Sequence, residues 1–178
     1  MSSRVFTISN FFSFARALLA GPIVYYLAKN TPEGNWTALL LMGIAIATDF
    51  IDGFLARKLN QRSDVGRIID PLADKIGVGA IAITLVIFRD LPAWFLIVII
   101  VRDLAILALG IFMVSKSKEI PESNWYGKIA VAALALMLVT FVLSLDSFKW
   151  YILYLALIFL ILSTASYLKR FMVFLHKG

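Results

Sequence analysis

The sequence predicts an all-α integral membrane protein with six transmembrane helices, and three observations lead to this prediction. First, 61% of the 178 residues are hydrophobic and only 16% are charged, with a mean hydropathy of +0.90, which lies outside the range of soluble domains. Second, the apolar residues form six runs, each near the roughly 20 residues that a helix needs to cross a bilayer. Third, polar turns separate these runs.

The predicted helices follow one another in order with short connections. Their spans are residues 10–28, 37–56, 68–88, 92–114, 126–145 and 149–168. The five connections between them are residues 29–35, 57–67, 89–92, 115–124 and 145–147. Residues 1–10 mix Arg4 with apolar side chains, so a short N-terminal interfacial helix is compatible with the sequence. Because no internal repeat is found, residues 1–178 are predicted to form one membrane domain.

Lysine and arginine favour the even-numbered connections and the C-terminal tail. The second connection carries Arg57, Lys58, Arg62 and Arg67, whereas the odd-numbered connections hold one basic residue each. Basic residues near helix ends stay on the cytoplasmic side. We therefore expect a multi-pass protein of a prokaryotic plasma membrane, with both termini and the connection between the second and third helices facing the cytoplasm. No cleaved signal peptide is expected, because Arg16 interrupts the first apolar run.

Composition also limits the partners and the metal chemistry. The formal net charge is +6, but the basic residues are spread over loops and helix ends, which favours membrane lipids over nucleic acid as the partner. The chain has no cysteine, so disulfides and thiolate metal sites are excluded. Carboxylates and the single histidine remain as strong ligands.

Acidic residues concentrate where the second helix ends and the third begins. Asp49 and Asp52 are three residues apart and Asp70 and Asp74 four apart, so each pair shares one face of its helix. An Asp costs roughly 2.5–3.5 kcal/mol at the centre of a membrane helix and is usually retained for function. Four neighbouring carboxylates predict a divalent cation with oxygen ligands, such as Mg²⁺, Mn²⁺ or Ca²⁺. Two such ions suit phosphoryl transfer.

Small and basic neighbours are compatible with a phosphate ligand. Gly53 leaves room for close approach, Ala56 keeps the next turn shallow, and Arg57 offers a forked donor for phosphate. Gly66 gives similar room, although a glycine that begins a helix is a simpler explanation for it.

The stretch from Asp49 reads D-F-I-D-G-F-L-A-R, and after eight further residues it continues G-R-I-I-D-P-L-A-D. This pattern resembles the complete signature of the CDP-alcohol phosphatidyltransferase family, with eight fixed identities at fixed spacing over 26 residues. The resemblance extends over most of the chain, including S-N-F-F-S-F-A-R before the signature and G-K at Gly127 and Lys128.

The resemblance implies a six-helix and usually homodimeric membrane enzyme. Its metals, here expected as two ions of Mg²⁺ or Mn²⁺, bind the pyrophosphate of a CDP-lipid between the four aspartates. By position, Gly53, Ala56 and Arg57 contact the nucleotide, and Asp74 is the base for the acceptor hydroxyl. A bound metal would lower the pKa of the acceptor alcohol, so that a carboxylate can act as its base near neutral pH. Asp74 could instead serve only as a metal ligand. The products are CMP and a new phosphodiester lipid.

Three further basic residues lie in or near apolar runs, and they suggest a pocket for an anionic acceptor. They are Arg16, Arg102 and Lys128. Arg102 has a structural alternative in the adjacent Asp103, but neighbours on a helix point about 100° apart, so pairing is not assured.

The acceptor remains open among several alcohols. The signature region is similar to phosphatidylglycerophosphate synthases, which use CDP-diacylglycerol and sn-glycerol 3-phosphate, and this acceptor is the first expectation. V-R-D-L at Val101 resembles cardiolipin synthases, whose acceptor is phosphatidylglycerol, and inositol phosphate or serine are further alternatives. A divalent-cation transporter is the alternative from another class, but it would place its acids near the bilayer midplane.

Overall fold

A computed structural model describes the backbone of residues 8–58, 66–117 and 125–177. It describes the side chains of residues 15, 18–48, 75–113, 116 and 125–175. Six α-helices occupy the described backbone, and they are α1 (Ile8–Ala28), α2 (Pro32–Lys58), α3 (Gly66–Phe88), α4 (Ala93–Ser117), α5 (Trp125–Val142) and α6 (Asp146–Lys177). The all-α prediction and the number of helices are confirmed. The interfacial helix predicted for residues 1–10 falls largely outside the described residues, and residues 8–10 begin α1.

Two helix boundaries differ from the predicted spans by five residues or more. Helix α2 begins at Pro32 rather than residue 37 because Thr31 caps it, its Oγ1 accepting a hydrogen bond from the Gly34 N–H at 3.1 Å. A threonine cap followed by proline at the first helical position is a strong start signal. Helix α6 continues nine residues beyond the predicted end at 168, to Lys177. Hydropathy marks where an apolar span ends, but a helix continues until its backbone is interrupted.

Three helices of the described residues are long and apolar enough to cross a membrane. These spans are Ala93–Met113, Trp125–Val142 and Asp146–Leu175, and Leu18–Ala28 and Lys75–Phe88 form shorter apolar stretches. Large apolar side chains such as Ile97, Ile111 and Ile158 are exposed along them. Such exposure suits helices surrounded by lipid, whose backbone groups are all satisfied within the helix.

The contacts divide the chain into two compact units, residues 1–90 and 91–178, so the single predicted domain stays a prediction. In the first unit α1 packs against both α2 and α3, and its buried side chains include Ile23, Leu27 and Leu85. The Arg89 guanidinium donates from Nη2 to Asn35 Oδ1, and both residues are buried. Burial lowers the pKa of Arg89, but an arginine remains charged near neutral pH.

In the second unit α6 packs against α4 and α5. Ala130, Ala133 and Ala156 are buried, and small side chains of this kind let membrane helices approach closely. Phe141 and Trp150 meet edge to face across the α5–α6 turn with ring centroids 6.1 Å apart. The turn is short, and Ser144 adopts a positive φ of 53°.

Gly34, in the first turn of α2, lies against the C-terminal end of α1. A Cβ atom added there would lie 2.7 Å from the Tyr26 carbonyl oxygen and 3.0 Å from Thr31 Oγ1. The first of these is a backbone atom, which cannot move aside without shifting α1. Glycine is therefore required at this position by the space available.

We expect Gly34→Ala to destabilise the protein by about 1–3 kcal/mol, the usual cost of forcing atoms into a packed region. Thermal unfolding of the detergent-solubilised protein would measure this. Gly43→Ala is the matched control in the same helix, because an added Cβ there meets no described atom within 4 Å. That variant should be unchanged or slightly stabilised, since alanine is the better helix former. Equal unfolding temperatures for both variants would contradict the close approach.

Candidate active site

The four predicted metal ligands lie in helices of the first unit. Asp49 and Asp52 belong to the C-terminal part of α2, and Asp70 and Asp74 to the first turns of α3. The backbone is helical at all four positions, so within each pair the Cα atoms lie on one side of the helix. The side chains of these aspartates lie outside those that the structure describes, and their role as ligands stays a prediction.

The same holds for the other predicted residues of this unit. Gly53, Ala56 and Arg57 lie in the last two turns of α2, Gly66 is the first residue of α3, and Arg16 lies in α1. All five side-chain positions lie outside the described side chains. The backbone does bring their elements together, because α1 packs against both α2 and α3.

A pocket of about 400 Å³ lies within the second unit, and the helices α4, α5 and α6 each contribute to it. Its lining residues are Arg102, Ile106, Gly127, Lys128, Val131 and Tyr167. Arg102 and Lys128, which the sequence suggests as parts of one basic pocket, thus line the same cavity. Their assignment to an acceptor stays a prediction.

Arg102 is held at two of its nitrogens, and its side chain is only 15% exposed. Nη1 donates to Asp103 Oδ1 at 2.8 Å, and Nη2 donates to Ser163 Oγ on α6 at 2.9 Å. Asp103 therefore pairs with Arg102 despite the angle between neighbouring side chains, because a long arginine can bend back along its own helix. Nε is buried and has no hydrogen-bond partner among the described residues.

Lys128 lies in the first turn of α5, beside Gly127. Its side chain is exposed, and Nζ lies 5.1 Å from the centroid of the Trp125 ring. The first turn of a helix carries the positive end of the helix dipole, which attracts anions. The pocket therefore combines two cationic side chains and a helix N-terminus, offset in part by the carboxylate of Asp103.

Sequence analysis did not find the contribution of α6. Ser163 is fully buried, and Tyr167, one turn further along the same face, lines the pocket. Hydroxyl residues four apart in an apolar helix were a weak signal that one face of α6 is polar in its C-terminal half. Ile106 and Val131 could not be identified, since apolar residues line most of every membrane helix.

Comparisons with known proteins identify the family. A model of the CDP-alcohol phosphatidyltransferase family matches residues 6–162. A CDP-diacylglycerol–glycerol-3-phosphate 3-phosphatidyltransferase of Bacillus subtilis is 36% identical over 149 residues, which cover 80% of this chain and 77% of that protein. A protein of the same name from Aquifex aeolicus is 33% identical, covering 75% of this chain and 74% of its own.

A cardiolipin synthase (CMP-forming) of Streptomyces coelicolor is also 33% identical, over 72% of this chain and 61% of that protein. These matches give no support to a divalent-cation transporter. They agree with the signature from Asp49 to Asp74 and with the apolar helices of the second unit. The chain belongs to the CDP-alcohol phosphatidyltransferase family and is a membrane transferase of phospholipid biosynthesis.

Proposed function

We propose that this enzyme transfers a phosphatidyl group from CDP-diacylglycerol to sn-glycerol 3-phosphate, giving phosphatidylglycerophosphate and CMP. The observation that supports this acceptor is the pocket lined by Arg102 and by Lys128, which lies in the first turn of α5. The names of the Bacillus subtilis and Aquifex aeolicus relatives, which contain both substrates, support the same choice.

The charge of the pocket suits a phosphate monoester. Such a group carries about −1.5 to −2 charges near pH 7. Arg102 and Lys128 contribute two positive charges, of which the ion pair with Asp103 offsets one, and the α5 dipole adds to the remainder. The apolar walls of Ile106 and Val131 reduce competition from water. We include Arg16 in acceptor binding, as the sequence suggests.

The CDP-lipid would bind at the ends of α2 and α3. We assign Asp49, Asp52, Asp70 and Asp74 as ligands of two Mg²⁺ or Mn²⁺ ions, because a set of carboxylate oxygens fits these hard cations. When bound, the metal offsets the charge of the pyrophosphate and favours departure of CMP. Gly53, Ala56, Arg57 and Gly66 are assigned to the CDP-lipid, with Arg57 donating to a phosphate oxygen.

The reaction needs one proton transfer and one displacement. The carboxylate of Asp74 accepts the proton of the acceptor hydroxyl, whose oxygen then attacks the phosphorus that bears diacylglycerol. The bond from this phosphorus to the bridging oxygen breaks, and CMP leaves with the electron pair. Binding of the acceptor phosphate by basic side chains would restrict the motion of the acceptor and so lower the entropic cost of the reaction.

Phosphatidylglycerol is the second candidate acceptor, because the Streptomyces coelicolor relative is named a cardiolipin synthase. Its phosphodiester carries one negative charge instead of nearly two, so it makes less use of two cations. Purified enzyme given both acceptors in equal amounts, with CDP-diacylglycerol, would reveal the preference. Cardiolipin as the main lipid product would replace our first choice.

We further propose that the enzyme works as a homodimer in a prokaryotic plasma membrane, surrounded by membrane lipids, with its site facing the cytoplasm. The basic connections favour this orientation. CDP-lipid, CMP and glycerol 3-phosphate would then share one compartment. Cross-linking of the protein in its native membrane would test the dimer.

Replacement of a metal ligand is the first test of the chemistry. Asp70→Asn should lower turnover by about a hundredfold or more, since even residues that only support metal ligands contribute tenfold to a hundredfold. CMP release would be measured on purified protein, and EDTA should silence the wild type until Mg²⁺ or Mn²⁺ is restored. Glu33→Gln is the control, because Glu33 is exposed in the first turn of α2, far along that helix from Asp49. Activity that survives metal removal would refute the carboxylate site.

Lys128→Ala tests the acceptor pocket. Loss of one charge-assisted hydrogen bond costs roughly 1.5–3 kcal/mol, which corresponds to a rise of about ten- to a hundredfold in the KM for glycerol 3-phosphate. The KM for CDP-diacylglycerol should change much less. Lys116→Ala is the matched control, because Lys116 is exposed in the last turn of α4 and does not line the pocket. An equal effect on both substrates would mean that the pocket is wrongly assigned.

Single cysteines test the orientation in the membrane, since the natural chain has none. We expect Lys116→Cys to react with an impermeant thiol reagent only from the cytoplasmic side, and Glu33→Cys only from the opposite side. Glu33 is exposed in the first turn of α2, so a cysteine there can be reached by the reagent. Labelling of intact cells and of inverted vesicles would measure accessibility. The reversed pattern would place the site outside the cytoplasm.

A further inference from the structure

We propose that Ser163 is a positioning residue of the acceptor pocket, which holds the Arg102 guanidinium in the orientation that binds the acceptor phosphate. Ser163 lies on α6, outside the signature of aspartates, and its side chain is fully buried. The inference rests on the proposed function in one respect, namely that Arg102 binds the phosphate of the acceptor.

The contacts of Arg102 explain why a second anchor is needed. Asp103 is the next residue on the same helix, and its Oδ1 accepts from Nη1 at 2.8 Å. An arginine and a carboxylate readily form a bidentate pair through two nitrogens. An end-on pair of this kind uses both Nη1 and Nη2. It would therefore occupy N–H groups that a bound phosphate needs. Left to Asp103 alone, Arg102 would turn both terminal nitrogens toward this carboxylate.

Ser163 opposes the end-on pair between Arg102 and Asp103, because it binds the second terminal nitrogen of Arg102. Its Oγ accepts from Nη2 at 2.9 Å, and it does so from α6, across the interface with α4. The guanidinium is thus held between two helices, and its plane is fixed. A flexible arginine loses much conformational entropy when it binds a ligand, so holding it in advance improves affinity.

The surroundings place this bond at the pocket. Tyr167, four residues after Ser163, lines the same cavity as Arg102, so the face of α6 that carries Ser163 also reaches the cavity. Nε of Arg102 is buried without a hydrogen-bond partner among the described residues. Each terminal nitrogen of an arginine carries two N–H groups, so one N–H on Nη1 and one on Nη2 remain for a ligand in the cavity after the bonds to Asp103 and Ser163.

The test is steady-state kinetics of Ser163→Ala in the purified enzyme. We expect the KM for glycerol 3-phosphate to rise about five- to tenfold, with kcat and the KM for CDP-diacylglycerol within about twofold of the wild type. Thr164→Val is the matched control, because the Thr164 hydroxyl bonds only within α6, to the Leu160 carbonyl oxygen at 2.8 Å. It should leave all three constants unchanged.

A double-mutant cycle separates positioning from packing. Arg102→Lys removes the forked donor, so adding Ser163→Ala to it should cause no further rise in the acceptor KM. Additive effects, or an acceptor KM that Ser163→Ala leaves unchanged, would overturn the positioning role. Ser163→Cys keeps a weak acceptor of similar size and should fall between serine and alanine. It serves as the deciding variant if Ser163→Ala does not fold.

The outcomes also distinguish the two proposals. If Arg102→Lys and Lys128→Ala raise the acceptor KM while Ser163→Ala does not, only the positioning role fails. If neither basic residue affects the acceptor KM, the acceptor pocket itself is wrong. If Ser163→Ala lowers thermal stability and raises both KM values together, its bond serves helix packing and the positioning role is refuted.

Discussion

The cost of placing polar groups in hydrocarbon is the constraint on which the rest of this structure depends. Three threonine hydroxyls in the described spans meet it locally, because Thr84, Thr140 and Thr164 bond to a carbonyl oxygen three or four residues earlier. A charged group needs more, because its desolvation cannot be offset by one weak bond. Arg102 therefore takes partners from two helices. A charged residue that a membrane span retains at such a cost is therefore a candidate for a functional role.

The sequence was sufficient to predict six helices because each apolar run has the length that the bilayer imposes. Helix ends were predicted less well, since capping and continuation depend on local backbone bonds that hydropathy does not measure. Thr31 and Pro32 could have indicated the start of α2. The end of α6 was placed too early because the apolar run ends near residue 168, whereas the helix continues through the basic residues Lys169 and Arg170.

The candidate site was predictable where charge made residues conspicuous. Arg102 and Lys128 stood out in apolar runs, and they do line one pocket. Ser163 and Tyr167 were missed because a hydroxyl in a membrane helix has a ready local partner, and its true partner depends on which helices pack together. The aspartates were recognised by their spacing, and their roles come from the family pattern, since spacing alone does not say what four carboxylates bind.

The order of contacts along the chain also has a consequence for synthesis. The α1–α2 and α5–α6 pairs join helices that are neighbours in sequence, and each can form as a hairpin when its second helix enters the membrane. The pocket is different, because it needs α4, α5 and α6 together. The last of its lining residues in chain order is Tyr167, in the C-terminal half of α6. A nascent chain therefore completes the helices that carry the aspartates before it completes the pocket, so premature termination within α6 would leave an inserted protein without the full lining of the pocket.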